Sequence, residues 1–161
     1  MGAPTSLLAA AIIFAAAGSA IIDDDGVVVG TLRVASGVDT VRAKVGDPLW
    51  VLSIGGDGTT ATLRETKGDC SVLDYVSEHA VATARYRVQQ CPTATGFRAD
   101  LVESPSFSSY WTTWTLTADG TGTQIEYRIK LVSSLTVPQW IVRRATRSSV
   151  QKLIDRLSEE L

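Results

Sequence analysis

Apolar and polar side chains alternate strictly along residues 123–132. One face carries Ile125, Tyr127, Ile129 and Leu131, and the other carries glutamine, glutamate, arginine and lysine side chains. This period of two is typical of a β-strand that is buried on one face and solvated on the other. The segment therefore predicts a strand whose apolar face packs against a core.

A second strand-like segment, 109–117, precedes this strand and is separated from it by the turn-forming residues 118–122. Folding the two segments about Gly120 brings their apolar faces together as an antiparallel hairpin. Contacts between large side chains on neighbouring strands stabilise such a pair. The expected cross-strand neighbours are Trp114 with Tyr127 and Leu116 with Ile125.

Further strands are predicted upstream, where β-branched or alternating residues lie between turn signals. These strands cover residues 27–34, 50–54, 59–66, 70–77, 83–90 and 97–103. We interpret the glycine-rich residues 55–58 as a turn between two strands, and residues 36–47 as one or two short helical turns. The chain before its last segment is therefore mostly antiparallel β structure.

The last segment has the period of an α-helix. Thr136 is a possible N-cap, and Pro138 is tolerated in a first turn, where its missing N–H is not needed. Apolar residues then recur at spacings of three and four, which places them on one stripe of the helix. The stripe contains Val142, Thr146, Val150, Leu153, Leu157 and Leu161. At 1.5 Å per residue this helix is about 35 Å long, and its stripe must be buried against the sheet.

The first 22 residues carry no charged side chain, and residues 7–17 form an apolar run that ends before Gly18, Ser19 and Ala20. Such small residues suit a signal-peptidase site. We therefore expect residues 1–20 to be a cleaved signal peptide and residues 21–161 to be an exported domain, periplasmic or secreted. The run is shorter than the roughly 20 apolar residues that span a bilayer. An uncleaved membrane anchor is the alternative, because no lysine or arginine precedes the run.

Cys70 and Cys91 are the only cysteines in the chain. An even cysteine count in an exported protein favours a disulfide over a catalytic thiol. In a hairpin that reverses at Ala80 and Val81, the two cysteines lie directly opposite each other, at a separation that a disulfide bridges. The sequence thus predicts a disulfide between neighbouring strands.

Composition narrows the class of partner. A chain of 161 residues with 45% hydrophobic and 20% charged residues suits one packed domain. A net charge of -2 provides no basic surface for a phosphate backbone, so we expect no nucleic-acid partner.

Arg143 and Arg144 make the last helix locally basic, which suits docking on an anionic membrane surface. Acidic neighbours such as Glu159 and Glu160 dilute this charge, so an ordinary solvated helix face is the alternative.

Candidate catalytic groups are few. His79 is the only histidine, and it lies at the proposed hairpin reversal, where a solvated turn residue is the simpler interpretation. Asp100 and Glu103 are three residues apart on a strand and therefore face opposite sides, which makes them a poor acid–base pair. Residues 55–58 lead into a strand, whereas a phosphate-binding loop opens a helix. We predict no catalytic site, no metal site and no cofactor.

The order of elements resembles that of a known superfamily. The resemblance is carried by residues 34–41 with Gly46-Asp47-Pro48, by Trp114 to Thr117 followed by Gly122-Thr123, and by Val137-Pro138. Together with the element order from Val27 to Leu161, these segments resemble the START-like, or SRPBCC, superfamily of polyketide cyclase/dehydrase, coenzyme Q-binding-like and lipid-transport proteins. The resemblance implies an α+β, helix-grip fold, in which a curved antiparallel sheet wraps around a long C-terminal helix. It also implies a cavity between sheet and helix, which in relatives holds lipids, sterols, quinones or polyketides.

The facing positions of sheet and helix are the expected walls of this cavity. The predicted lining residues are Tyr110, Thr112, Trp114, Leu116, Ile125, Tyr127, Ile129, Val142, Thr146, Val150 and Leu153. Other aromatic residues, including Tyr75 and Tyr86, also suit a pocket, and plain core packing is the alternative role for aromatic residues of this kind. Trp111 falls on the opposite strand face and is expected at the rim or on the surface.

Three functions are compatible with this pattern. The first is an exported binding protein or carrier for a hydrophobic small molecule or lipid. The second is an enzyme of the polyketide cyclase/dehydratase type, and the third is an envelope interaction domain whose core is filled. The predicted inner faces offer few ionisable side chains, so the non-catalytic carrier is favoured.

Overall fold

The computed structural model describes residues 18–56, 58–78 and 82–161. These residues form one antiparallel sheet and three helices. The strands are β1 (Ser19–Ile22), β2 (Val28–Val34), β3 (Thr59–Lys67), β4 (Cys70–Glu78), β5 (Thr83–Pro92), β6 (Gly96–Glu103), β7 (Phe107–Asp119) and β8 (Gly122–Ser133). The helices are α1 (Val38–Val45), α2 (Pro48–Gly55) and α3 (Gln139–Glu160).

The sheet is curved and wraps around α3. From one edge to the other its strand order is β1-β2-β8-β7-β6-β5-β4-β3, and neighbouring strands are antiparallel. Helix α3 packs against β1, β2 and β8, and α2 packs against α3. This α+β, helix-grip architecture confirms the fold class that the sequence predicted.

The β7–β8 hairpin has the predicted register. Trp114 pairs with Tyr127 and Leu116 pairs with Ile125. Gly120 lies in the turn at a φ of 62°, a conformation that glycine adopts without steric cost. Alternation along the two strands therefore directs one apolar face into the concave side of the sheet.

The core is densest where α3 packs against β2 and β8. Ile125, Ile154 and Leu157 are fully buried there, with 0% of each side chain exposed. Gly30 of β2 permits this contact, because a Cβ atom at that position would lie 2.7 Å from a methyl carbon of Val150. The missing side chain lets the helix approach the strand directly.

Residues 50–54, predicted as a strand, lie instead within α2. Asp47 caps the helix, because its carboxylate accepts hydrogen bonds from the backbone N–H groups of Leu49 (3.1 Å) and Trp50 (3.4 Å). Pro48 follows at the first helical position, where its fixed φ suits a helix. A short apolar run fits a strand or a buried helix equally well by periodicity. Here the cap and the proline decide the outcome.

The start of α3 also differs from its prediction. The cap residue is Pro138, not Thr136, and the helix begins at Gln139. A residue that precedes proline is disfavoured in helical backbone, so Val137 cannot serve as the first helical residue after a Thr136 cap. The side chain of Gln139 instead joins the helix to the end of β8, donating to the carbonyl of Leu131 at 2.8 Å.

Strand β1 overlaps the end of the predicted signal peptide. Ser19 and Ala20 belong to this strand, and Ala20 is only 2% exposed. Two side chains of α3 hold it: the Gln151 amide oxygen accepts from the Ala20 N–H at 2.9 Å, and the Arg147 guanidinium donates to the Ala20 carbonyl at 3.0 Å. The remainder of the predicted signal peptide, residues 1–17, lies outside the described residues.

Cys70 and Cys91 form a disulfide, as predicted. They join the neighbouring strands β4 and β5 at a Cα–Cα distance of 4.2 Å. The register of these strands, with Ser71 opposite Gln90, is the register that a reversal at Ala80 and Val81 requires. Those two residues and His79 lie outside the described part of the chain.

Candidate ligand cavity

A cavity lies between the concave face of the sheet and helices α2 and α3. Its first part, which we call the tyrosine chamber, has a volume of about 180 Å³. It is named for Tyr75, Tyr86, Tyr110 and Tyr127, which lie on its wall. These residues belong to β4, β5, β7 and β8, so the chamber extends across most of the sheet.

The second part, which we call the α3 chamber, has a volume of about 270 Å³ and follows the first half of α3. Val142 and Ala145 form part of its helical wall, and Leu135 lies on the segment that leads into the helix. Tyr110 and Ile129 are among the residues that line both chambers. The two chambers therefore adjoin each other.

Most of the predicted lining residues lie on these walls. The tyrosine chamber is lined by Tyr110, Thr112, Trp114, Tyr127, Ile129, Thr146, Val150 and Leu153, and the α3 chamber by Val142. The exceptions are Leu116 and Ile125, which are 6% and 0% exposed and belong to the packed core. Both lie near the Gly120 turn, on the two strands that α1 contacts.

Helix α2 contributes wall residues that the sequence did not assign to the cavity. Val51, Leu52 and Gly55 line the tyrosine chamber. At Gly55 a Cβ atom would lie 2.9 Å from Leu153, so this glycine allows α2 and α3 to approach closely. The wrong strand prediction for residues 50–54 concealed these residues, although the Asp-Pro helix-start signal was present.

Tyr75 and Tyr86 are the other wall residues missing from the predicted lining set. They face each other across β4 and β5, and their rings stack at a centroid distance of 5.1 Å with planes 4° apart. Tyr86 also contacts Tyr110 at 5.1 Å, and Tyr127 contacts Trp114 at 4.5 Å. The alternation in the two predicted strands could have identified Tyr75 and Tyr86 as inward-facing, because Leu73 and Val88 lie on the same face and are buried.

Burial makes these phenols difficult to ionise. It raises the pKa of Tyr75 to about 12. The pKa values of Tyr86, Tyr110 and Tyr127 are also raised, first by burial and then by the repulsion that charge on neighbouring tyrosines would cause. All four hydroxyls are therefore neutral across the physiological pH range.

The charged side chains that the structure describes lie outside both chambers. No aspartate, glutamate, lysine or arginine of the described residues lines either chamber. Arg87 forms ion pairs with Asp74 at 2.7 Å and Glu103 at 2.6 Å, and the hydrogen bond from Arg87 is the main cause that lowers the pKa of Asp74. Asp100 pairs with Arg98 at 2.9 Å. Asp100 and Glu103 thus have separate cationic partners and do not act as a pair.

In the described ranges, no three or more histidine, cysteine, aspartate or glutamate side chains converge in a way that suits a metal ion. Likewise, no helix in these ranges is both long enough and apolar enough to cross a bilayer.

Comparison with known proteins identifies the fold. No protein-family model and no curated protein matches the sequence. Solved structures do match. A START superfamily protein from Mycobacterium smegmatis has a TM-score of 0.68 and 17% identity, covering 83% of this chain and 95% of the other.

Two further structures match in the same way. The Zhui aromatase/cyclase from Streptomyces sp. R1128 has a TM-score of 0.64 and 15% identity, covering 80% of this chain and 91% of the other. A STAR-related lipid transfer protein from Xanthomonas axonopodis has a TM-score of 0.63 and 13% identity, covering 89% and 98%. The chain therefore has the START-like, or SRPBCC, helix-grip fold.

Proposed function

We propose that this chain is an exported binding protein or carrier for a hydrophobic small molecule or lipid, which it holds in the tyrosine and α3 chambers. The observation that carries the proposal is the pair of adjoining chambers with walls free of charged side chains among the described residues. Ligand sites of this kind are concave and mainly apolar, with a few polar groups that set orientation. The similar structures support the same class, since they include a protein named for lipid transfer and an aromatase/cyclase.

A carrier accounts for the chambers better than the two alternatives. A structural domain with a filled core has no use for chambers of about 180 and 270 Å³, because unfilled space lowers stability. An acid–base enzyme needs groups that exchange protons near the working pH. Among the residues that the structure describes, the ionisable groups on these walls are phenols with raised pKa values, which favours binding over catalysis.

Export is supported by the disulfide and by the apolar run at residues 7–17. Structural disulfides persist in oxidising compartments and are rare in the cytosol. We place the cleavage site before Ser19, and not after Ala20 as the small residues alone suggested, because Ser19 and Ala20 form part of β1. Ala15, Ala16 and Ala17 supply small residues at an earlier position.

Filling the cavity tests the carrier proposal. Thr146 lines both chambers, so we expect Thr146→Trp to occupy the space of the ligand and to lower the affinity for a hydrophobic fluorescent probe at least tenfold. Ala145→Trp, which reaches only the α3 chamber, is expected to have a smaller effect. Probe fluorescence measures binding, and far-ultraviolet circular dichroism verifies that each variant is folded.

Ser148→Trp is the matched control, because Ser148 is exposed on the same helix and lines neither chamber. Its affinity for the probe should equal that of the wild type. Native mass spectrometry with solvent extraction of the wild-type protein identifies any molecule that co-purifies. If the wild type binds no probe and carries no apolar molecule, the filled-core alternative is correct.

A further inference from the structure

The hydroxyl groups of the four tyrosines in the tyrosine chamber form no hydrogen bonds with the described part of the protein. Among the described residues, no hydrogen bond links the hydroxyl of Tyr75, Tyr86, Tyr110 or Tyr127 to another side chain or to the backbone. The described residues also contain no fully enclosed side-chain oxygen or nitrogen that lacks a partner. The four hydroxyls are therefore open to the space of the chamber.

Three other polar groups on the same wall already form hydrogen bonds within the protein. The Thr146 hydroxyl donates to the carbonyl of Val142 at 2.7 Å, and the Gln90 amide donates to the carbonyl of Gly46 at 3.2 Å. The Thr59 hydroxyl shares a hydrogen bond of 2.9 Å with Ser77. The four phenols, together with the hydroxyls of Thr112 and Ser149, are thus the hydrogen-bonding side chains that the described wall leaves for an occupant.

The positions of the four residues bring these hydroxyls into one region. Tyr75 and Tyr86 stack on β4 and β5, and Tyr110 contacts Tyr86 from β7. Tyr127 lies on β8, which pairs with β7, and it lines the same chamber. A neutral phenol donates one hydrogen bond and also accepts. The cluster therefore suits a ligand that presents carbonyl or hydroxyl oxygens.

A charged ligand group does not suit the same wall. A carboxylate or ammonium group taken from water into an apolar cavity needs an opposite charge or several charge-assisted hydrogen bonds to offset its lost hydration. The described walls of both chambers provide no opposite charge. The enclosed part of the ligand is therefore expected to be neutral.

We propose that the chambers select an uncharged apolar molecule bearing carbonyl or hydroxyl oxygens, and that the hydroxyls of Tyr75, Tyr86, Tyr110 and Tyr127 are the groups that determine this specificity. The inference rests on the proposed carrier function and narrows it to one ligand class. This ligand class includes ketones, quinones, sterols and neutral esters. It excludes pure hydrocarbons, and it excludes fatty acids whose carboxylate would have to enter the cavity.

Three probes with one ring system test the proposal: 2-acetylanthracene, 2-ethylanthracene and anthracene-2-carboxylate. Quenching of tryptophan fluorescence reports the binding of each, since Trp114 lies on the chamber wall. The ketone is expected to bind the wild type roughly three- to tenfold more tightly than the hydrocarbon, the ratio that about one net hydrogen bond provides. The carboxylate is expected to bind at least about tenfold more weakly than the ketone.

Tyr86→Phe and Tyr110→Phe, alone and combined, remove hydroxyls while keeping the stacked rings. In the double variant the preference for the ketone should fall toward one, and the affinity for 2-ethylanthracene should stay unchanged, which also verifies that the cavity is intact. Ser148→Ala, outside the cavity, should keep the wild-type preference. Equal binding of ketone and hydrocarbon by the wild type overturns this inference alone, whereas binding of none of the three probes by a wild-type protein that also carries no co-purified apolar molecule overturns the carrier function as well.

Discussion

At the scale of single residues, the tyrosines of the cavity provide a measurable property of the fold. The chain has four tyrosines, and all of them belong to the cluster. Each has a pKa above the ordinary value of 10.0, with burial as the main cause. The folded protein therefore holds its phenolic protons to higher pH than the unfolded chain does.

This difference determines the sign of the pH effect on stability. The phenols contribute no penalty below pH 10.0, the value of the unfolded group, and folding loses stability as the pH rises above it. We expect an alkaline titration to show no phenolate absorbance near pH 10 while circular dichroism reports a folded protein. Phenolate absorbance should then appear together with unfolding. Ionisation of a tyrosine near pH 10 in the folded state would contradict the buried cluster.

Glycines act at the same scale through the side chain that they lack. Gly30 and Gly55 permit α3 to approach β2 and α2, since a Cβ atom at either position would lie under 3.0 Å from Val150 or Leu153. The two contacts fix α3 relative to the sheet and to α2. The dimensions of the cavity thus depend on residues that contribute no side chain to it.

At the scale of secondary-structure elements, the β4–β5 hairpin carries the disulfide and half of the tyrosine cluster. The bond between Cys70 and Cys91 closes a loop with a sequence separation of 21. A loop of this size restricts the unfolded chain enough to stabilise the fold by about 3 kcal/mol in the chain-entropy description. The same bond holds β4 and β5 in the register that stacks Tyr75 on Tyr86.

We expect the double variant Cys70→Ser with Cys91→Ser to unfold at a temperature roughly 6 to 12 °C lower than the wild type, the shift that about 3 kcal/mol produces in a chain of this length. Differential scanning calorimetry measures the shift. A reducing agent should lower the melting temperature of the wild type by a similar amount and should not affect the variant. An unchanged melting temperature in the variant would show that the hairpin is held by its packing alone.

At the scale of the whole molecule, β1 is the first described strand, and it contacts the last helix. Ala20 is buried, and its backbone groups form hydrogen bonds with the side chains of Gln151 and Arg147. Helix α3 therefore holds β1 in place. A chain that begins at Gly18 keeps these contacts, and a chain that begins at Ile21 loses them. We expect the shorter chain to be less stable by about 3 kcal/mol, since it loses three long-range hydrogen bonds between α3 and residues 18–20.

Urea unfolding of the two purified chains measures this difference in the free energy of unfolding. The intact mass of the exported wild-type protein is expected to correspond to a first residue before Ser19. Equal stability of the two chains, or a mature protein that begins at Ile21, would show that β1 is dispensable. A full-length mass in the membrane fraction would instead identify residues 1–17 as an uncleaved anchor.

Alternation and helical spacing in the sequence determined much of this molecule. The β7–β8 register, the disulfide and the helix-grip order followed from local patterns, because a strand has a period of two and a buried stripe has spacings of three and four. Residues 50–54 lacked such a period, and their helix was decided by the cap and proline before them. The inward orientation of Tyr110, Trp114, Tyr127 and Thr146 could also be predicted from the local sequence, since it depends only on which face of its element each residue occupies.

Tertiary structure alone decided which inward residues surround space and which fill it. Leu116 and Ile125 share a strand face with Trp114 and Tyr127, yet the first pair is packed in the core outside both chambers and the second pair lines one of them. Periodicity identifies a face but not the distance to the element opposite, and that distance was determined here by Gly30, Gly55 and the position of α2. Strand β1 needed the same information, because the side chains of Gln151 and Arg147 that hold it lie on α3, far along the chain. A cavity is a property of the gap between elements, which no single segment of sequence contains.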